Sequence, residues 1–172
     1  MIARWTSPEW HARTREWIHA ELDGAGRTVT GPIEQPRVRH WSTQLTIPTD
    51  RGRVWFKEAH PAEAFEGPLL AALNRLAPDR VLPILAVHPV SGAFLADDQG
   101  PTLRSVDGDR LPHWLRVVRE YAQLQVALSP YGDDVLACGV SLVAPADLMD
   151  IQAHLVDTIA GLRADHPLRV DA

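Results

Sequence analysis

The stretch Trp41-Ser42-Thr43-Gln44-Leu45-Thr46-Ile47-Pro48-Thr49-Asp50-Arg51-Gly52-Arg53-Val54-Trp55-Phe56-Lys57-Glu58 decides the fold. Trp41, Thr43, Leu45 and Ile47 alternate with Ser42, Gln44 and Thr46. That period of two is the pattern of a half-buried strand. Pro48 to Gly52 has turn chemistry, and Arg53 to Glu58 resumes as a second strand. Upstream, Thr28 to Ile33 reads as an earlier strand, joined to its neighbour by a loop from Glu34 to His40. Three consecutive antiparallel strands are the simplest reading.

Outward from this hairpin the period becomes helical. Ser7-Pro8-Glu9 is a helix start, with a capping hydroxyl, proline at the first helical position and an acid in the first turn. Trp10, Thr14, Trp17, Ile18 and Leu22 follow at helical spacing until Gly24 and Gly26. On the other side, Phe65, Leu69, Leu73 and Leu76 share one face of a helix within Pro61 to Ala77. Gly67-Pro68 delays its regular part, because proline clashes with the carbonyl four residues back. Val81 to Val87 and Ala93 to Ala96 add two strands, completing a five-stranded, mostly antiparallel sheet with one crossing helix. Asp97-Asp98-Gln99-Gly100-Pro101 is a composition break. Beyond it, Pro112 opens a helix with the stripe Trp114, Val117, Val118, Tyr121, Leu124 and Leu128. Pro145 opens another with Leu148, Ile151, Leu155, Ile159 and Leu162. The expectation is an α+β chain with a sheet domain over residues 1–98 and a helical part over 99–172.

Composition narrows the function classes. The 172 residues carry 17 basic and 22 acidic side chains, a net charge of −5, which argues against a nucleic-acid binder. One cysteine, Cys138, excludes an internal disulfide framework. No secretory signal opens the chain, and the longest charge-free stretch, Val81 to Ala96, is too short and too broken by proline and glycine to span a bilayer. A cytoplasmic protein without a membrane or nucleic-acid partner is expected. The eight histidines are scattered without metal-ligand spacing, so no metal site is expected. Cys138 reads as packing, and Asp133-Asp134 and Asp107-Gly108-Asp109 as solvated turn acids. Trp10, Trp17 and Trp114 read as core, leaving Trp5, Trp41 and Trp55 as the tryptophans nearer a ligand.

Sixteen of the 17 basic residues are arginine, and Lys57 is the single lysine. A retained lysine hints that a compact ammonium is wanted there rather than a planar fork. Lys57 ends a strand and Glu66 opens the next helix nine residues later. A strand lysine held by a helix glutamate suits phosphate handling, since the ammonium is a point charge and the carboxylate fixes where it points. Taken alone, any solvent-facing strand lysine would read the same way.

Further stretches carry a family likeness. Gly31-Pro32-Ile33-Glu34, Trp41-Ser42-Thr43, Val54-Trp55-Phe56-Lys57 and Glu66 with Leu69-Leu70-Ala71-Ala72-Leu73 are followed by Arg80-Val81-Leu82-Pro83, Leu95-Ala96-Asp97-Asp98-Gln99-Gly100 and Tyr121-Ala122-Gln123-Leu124-Gln125. In this order the chain resembles the aminoglycoside phosphotransferase family, small-molecule kinases with a protein-kinase-like fold, over about residues 5 to 140. The resemblance implies a kinase-like N-lobe preceded by a helix and followed by the first helices of an incomplete C-lobe. It implies ATP and Mg²⁺ as cofactors and a small-molecule hydroxyl as phosphate acceptor. Lys57 would grip the α- and β-phosphates with Glu66 as its partner, and Glu34 to His40 with Ser42 and Thr43 would stand where the phosphate-covering loop lies. Leu95, Ala96, Asp97 and Asp98, with Gln99, would form the hinge that receives the adenine edge.

The sequence departs from that family at the chemistry. No H-x-D follows Lys57, and the single asparagine, Asn74, lies before the hinge. No catalytic base or Mg²⁺ ligand is therefore assigned, and the catalytic loop is expected beyond Ala172. Two readings follow: the nucleotide-binding part of a phosphotransferase, inactive alone, or a non-catalytic interaction or regulatory protein derived from such a kinase. The second would form a homodimer through exposed helix faces.

Overall fold

The computed structural model describes residues 1–108 and 110–162. The chain is α+β and forms two compact units, Met1–Val140 and Ser141–Ala172.

The first unit opens with α1 (Ile2–Trp5) and α2 (Pro8–Gly24). Ser7 accepts the Trp10 N–H at 3.2 Å, Pro8 takes the first position, and so α2 starts where its capping chemistry dictates. Trp10, Thr14, Ile18 and Leu22, one turn apart, form its buried stripe. They pack with Trp5 on Leu45, Ile47, Val54, Phe56 and Leu95, one face of the sheet. Fully burying a side chain such as Ile18 contributes about 1.5–3 kcal/mol, and this layer is the core.

The sheet has five strands, β1 (Glu34–Val38), β2 (Ser42–Thr49), β3 (Gly52–Ala59), β4 (Ile84–Val87) and β5 (Phe94–Asp97), in the order β1-β2-β3-β5-β4, all neighbours antiparallel. The β2–β3 hairpin is longer than its turn residues suggest. It pairs from Ser42 with Ala59 to Thr49 with Gly52, leaving Asp50-Arg51 as the turn. Pro48 fits inside β2 because its carbonyl, and with it the place of its missing N–H, faces outward, accepting from Thr30 at 2.9 Å.

The first strand differs from expectation. Residues 28–33 make only a single bridge, Val29 to Thr49, and the strand proper is Glu34–Val38. Gly31-Pro32 interrupts the upstream pairing, and the predicted 34–40 loop shrinks to the tight connection around Arg39 to Trp41. Likewise Pro83, without an N–H, delays the next strand to Ile84.

Between β3 and β4 the chain crosses through a 3₁₀ turn (Pro61–Glu63) and α3 (Glu66–Leu76). Pro68 sits in the first turn of α3, where a missing N–H loses no helical partner, so the helix already includes Glu66. Asn74 donates to the carbonyls of Leu70 and Leu82 at 2.8 and 2.9 Å and ties the loop after α3 to its own helix.

Past β5 the first unit continues with α4 (Leu103–Asp107), α5 (Leu111–Leu128) and α6 (Gly132–Ala137). The apolar stripe of α5 forms, but none of its residues is buried. Trp114, expected in the core, is 36% exposed and donates its indole N–H to the Gly108 carbonyl. The second unit holds α7 (Leu148–Ala160), entered through a 3₁₀ turn at Pro145–Asp147. Among the described residues no helix is long and apolar enough to cross a membrane.

Candidate functional site

Strand alternation sets the site. Val54, Phe56 and Glu58 turn to the core layer, so Trp55 and Lys57, which alternate with them, face the other side of β3. There Lys57 Nζ lies 2.5 Å from Glu66 Oε1 at the start of α3. Both side chains are part-buried, a charge-assisted contact that fixes the direction of the ammonium.

The pair stands in a cleft of about 550 Å³. Trp55, Leu70, Leu82, Phe94 and Ala96 give it apolar walls, and the segment Asp98 to Gly100 closes one side. Its floor is two cross-strand rows. Trp55 pairs with Ala96, and in the neighbouring row Arg37, Gln44, Lys57 and Phe94 stand opposite one another across β1, β2, β3 and β5. The cleft thus joins an apolar slot to two cations, Arg37 and Lys57, and three carboxylates, Glu66, Asp97 and Asp98.

The residues singled out from sequence divide. Lys57, Glu66, Ala96, Asp97 and Asp98 line this cleft, whereas Ser42, Thr43 and Leu95 do not. Thr43 is fully buried on the core side, donating to the Arg37 carbonyl at 3.1 Å and accepting from Gln35 at 2.8 Å. Ser42 is buried opposite Ala59. Leu95 is core, and it and Ala96 sit in a strand paired on both sides, which commits their peptide groups to the sheet. Asp97 is held by both guanidinium nitrogens of Arg27, Nη2 at 2.9 Å from Oδ2, and this hydrogen bond raises the Arg27 pKa. The Asp98 N–H donates to the Arg53 carbonyl at 2.9 Å, and Asp98 Oδ1 accepts from the Gly100 N–H at 2.9 Å. The expected hinge therefore has the peptide groups of Leu95 and Ala96 engaged in the sheet and the Asp98 N–H engaged with Arg53.

The tryptophans also divide. Trp55 lines the cleft, Trp41 is 57% exposed outside it, and Trp5 is fully buried in the core. Trp5 and Trp10 donate their indole N–H groups to the two carboxylate oxygens of buried Glu58, at 3.1 and 3.0 Å, and Arg4 closes on Oε1 at 2.7 Å. Sequence reasoning missed Glu58 and Gln44, and it covered Arg37 only as an unnamed member of the Glu34 to His40 segment. Cys138 is part-buried, its thiol against the carbonyls of Asp134 and Pro68. Asp133-Asp134 lies in the first turn of α6, Asp109 lies outside the described residues, and no group of three His, Cys, Asp or Glu among the described residues is placed to hold a metal ion.

No family model, curated protein or solved structure matches this chain.

Proposed function

We propose that the Lys57 cleft binds a nucleotide, ATP with Mg²⁺, and that the chain is the nucleotide-binding part of a small-molecule phosphotransferase of the aminoglycoside phosphotransferase type. The observation that carries this reading is the Lys57–Glu66 pair at 2.5 Å inside an apolar cleft. Protein kinases pair a lysine of their third strand with a glutamate of the following helix, and Lys57 and Glu66 hold those two places in the chain. The strand order, with a helix crossing between β3 and β4, supports the same kinase-like reading.

In this reading the apolar walls take the base, and the Lys57 ammonium meets the phosphates. Glu66 keeps that ammonium from folding back onto the sheet. Charge neutralisation at the phosphates would be the contribution of Mg²⁺ carried with the nucleotide, since no cluster of three His, Cys, Asp or Glu among the described residues is placed to hold it. The sequence contains no H-x-D after Lys57 and no asparagine after Asn74, so these residues bind and orient nucleotide without supplying a base. Phosphorylation by these 172 residues alone would contradict this division of labour. Isothermal calorimetry with ATP and Mg²⁺ tests the reading: heat for the wild type, and at least tenfold weaker binding for Lys57→Met, are expected. Equal heats for the two proteins would remove Lys57 from the site.

The exposed stripe of α5 favours a second reading, in which two copies associate without catalysis. Analytical ultracentrifugation separates the two: a stable dimer supports it and a monomer at all concentrations opposes it.

A further inference from the structure

Arg37 faces the cleft because β1 contains one residue too many. Glu34 pairs with Thr46 and Arg37 with Gln44, so three steps along β1 match two along β2. The extra residue is a β-bulge, the device by which a strand re-aims a side chain. In strict alternation Arg37 would share the face of Gln35, whose amide lies on the core side against Thr43 and the Trp5 carbonyl. The bulge at Gln35-Pro36 reverses that and sets Arg37 in the row with Gln44 and Lys57. Pro36 fits there because β1 is an edge strand. Among the described residues no carboxylate pairs with Arg37, whereas Lys57 has Glu66.

Resting on the nucleotide reading above, we propose that Arg37 is a second phosphate contact and makes the cleft selective for nucleoside triphosphates over monophosphates. Strands stand about 4.8 Å apart, so the backbones of Arg37 and Lys57, two strands away from one another, are about 10 Å apart, with Gln44 in the row between them. With the base against the apolar walls and the first phosphate on Lys57, the further phosphates run on along the row toward Arg37. A chain of linked phosphates bridges both, and the arginine fork can hold the terminal phosphate by two bonds. Arg37 thus does with a side chain what a glycine-rich loop does with backbone N–H groups.

Calorimetric titration of ATP, ADP and AMP, each with Mg²⁺, into wild type, Arg37→Ala, Arg37→Lys and Lys57→Met tests this. Arg37 is exposed and unpaired, so its variants should keep the wild-type circular dichroism and melting curve. The expected result is ATP binding roughly tenfold weaker in Arg37→Ala, AMP binding unchanged, and an intermediate loss in Arg37→Lys. Equal losses for ATP and AMP, or no loss for either while Lys57→Met still weakens ATP, would overturn the Arg37 assignment and leave the nucleotide reading standing. Absence of binding of all three nucleotides by the wild type would overturn both.

Discussion

A Cβ placed on Gly67 would stand 2.3 Å from the carbonyl oxygen of Gly92. The two glycines let the start of α3 lie backbone against backbone on the turn between β4 and β5. Gly92, at φ +66°, also approaches Ala64 so closely that a Cβ would meet its carbonyl oxygen at 1.8 Å. This contact holds Glu66, the neighbour of Gly67, where it reaches Lys57.

Gly67→Ala weighs two effects against each other. Helix propensity favours alanine by up to about 1 kcal/mol. The clash is with backbone, which cannot rotate away, and overpacking of this kind costs about 1–3 kcal/mol. The clash wins, so thermal melting should show a lower Tm; an unchanged or higher Tm would mean that the contact is loose.

Glu58 makes a prediction about stability alone. Glu58→Gln keeps the volume but sets an amide N–H against an indole N–H, at a cost of about 1–3 kcal/mol. Glu58→Ala strands two indole donors and Arg4, and should cost about 3–5 kcal/mol. Urea denaturation of both variants measures the difference. Equal midpoints for Glu58→Gln and wild type would mean that the indole bonds contribute little.

Arg27→Met should cost only about 0.5–1 kcal/mol, because Asp97 keeps solvent contact. The Arg27 guanidinium is held above its ordinary range, first by its hydrogen bond to Asp97. A raised folded value gives stability that is complete below the unfolded pKa and lost only as pH climbs through the folded one. Both lie in strong alkali, so deprotonation of Arg27 adds no pH dependence near neutrality. Thermal melts of the variant checks the size; a loss of several kcal/mol would mark Arg27 as a buried-type pair.

The sequence carried the β2–β3 hairpin legibly because each strand has one face against a helix layer and one on a cleft, which writes period two into the residues. It hid β1, since an edge strand with Pro36 and a bulge breaks the alternation that marks strands, and Thr28 to Ile33 reads as the better strand former. Lys57 and Glu66 were visible as a rare lysine and a well-placed acid. Glu58 was not, and Arg37 was legible only as part of the Glu34 to His40 segment. Glu58 is buried only because residues 4, 5 and 10 close over it, and Arg37 faces the cleft only through a register shift. The α5 stripe was legible as helix, but periodicity says nothing of whether a face is covered.

If α5 mediates pairing of two copies, Val118→Glu, at a position 63% exposed, should abolish it. Sedimentation velocity over a wide concentration range checks this. A dimer that survives the substitution would place the contact elsewhere.

The most direct test of the Lys57 cleft is a backbone-amide NMR titration of the wild type with ATP and Mg²⁺. Shifts centred on Gln44, Trp55, Lys57, Glu66, Ala96 and Gln99, needing at least tenfold more nucleotide to appear in Lys57→Met, are predicted. Shifts confined to α5, or none at saturating nucleotide, would contradict the account.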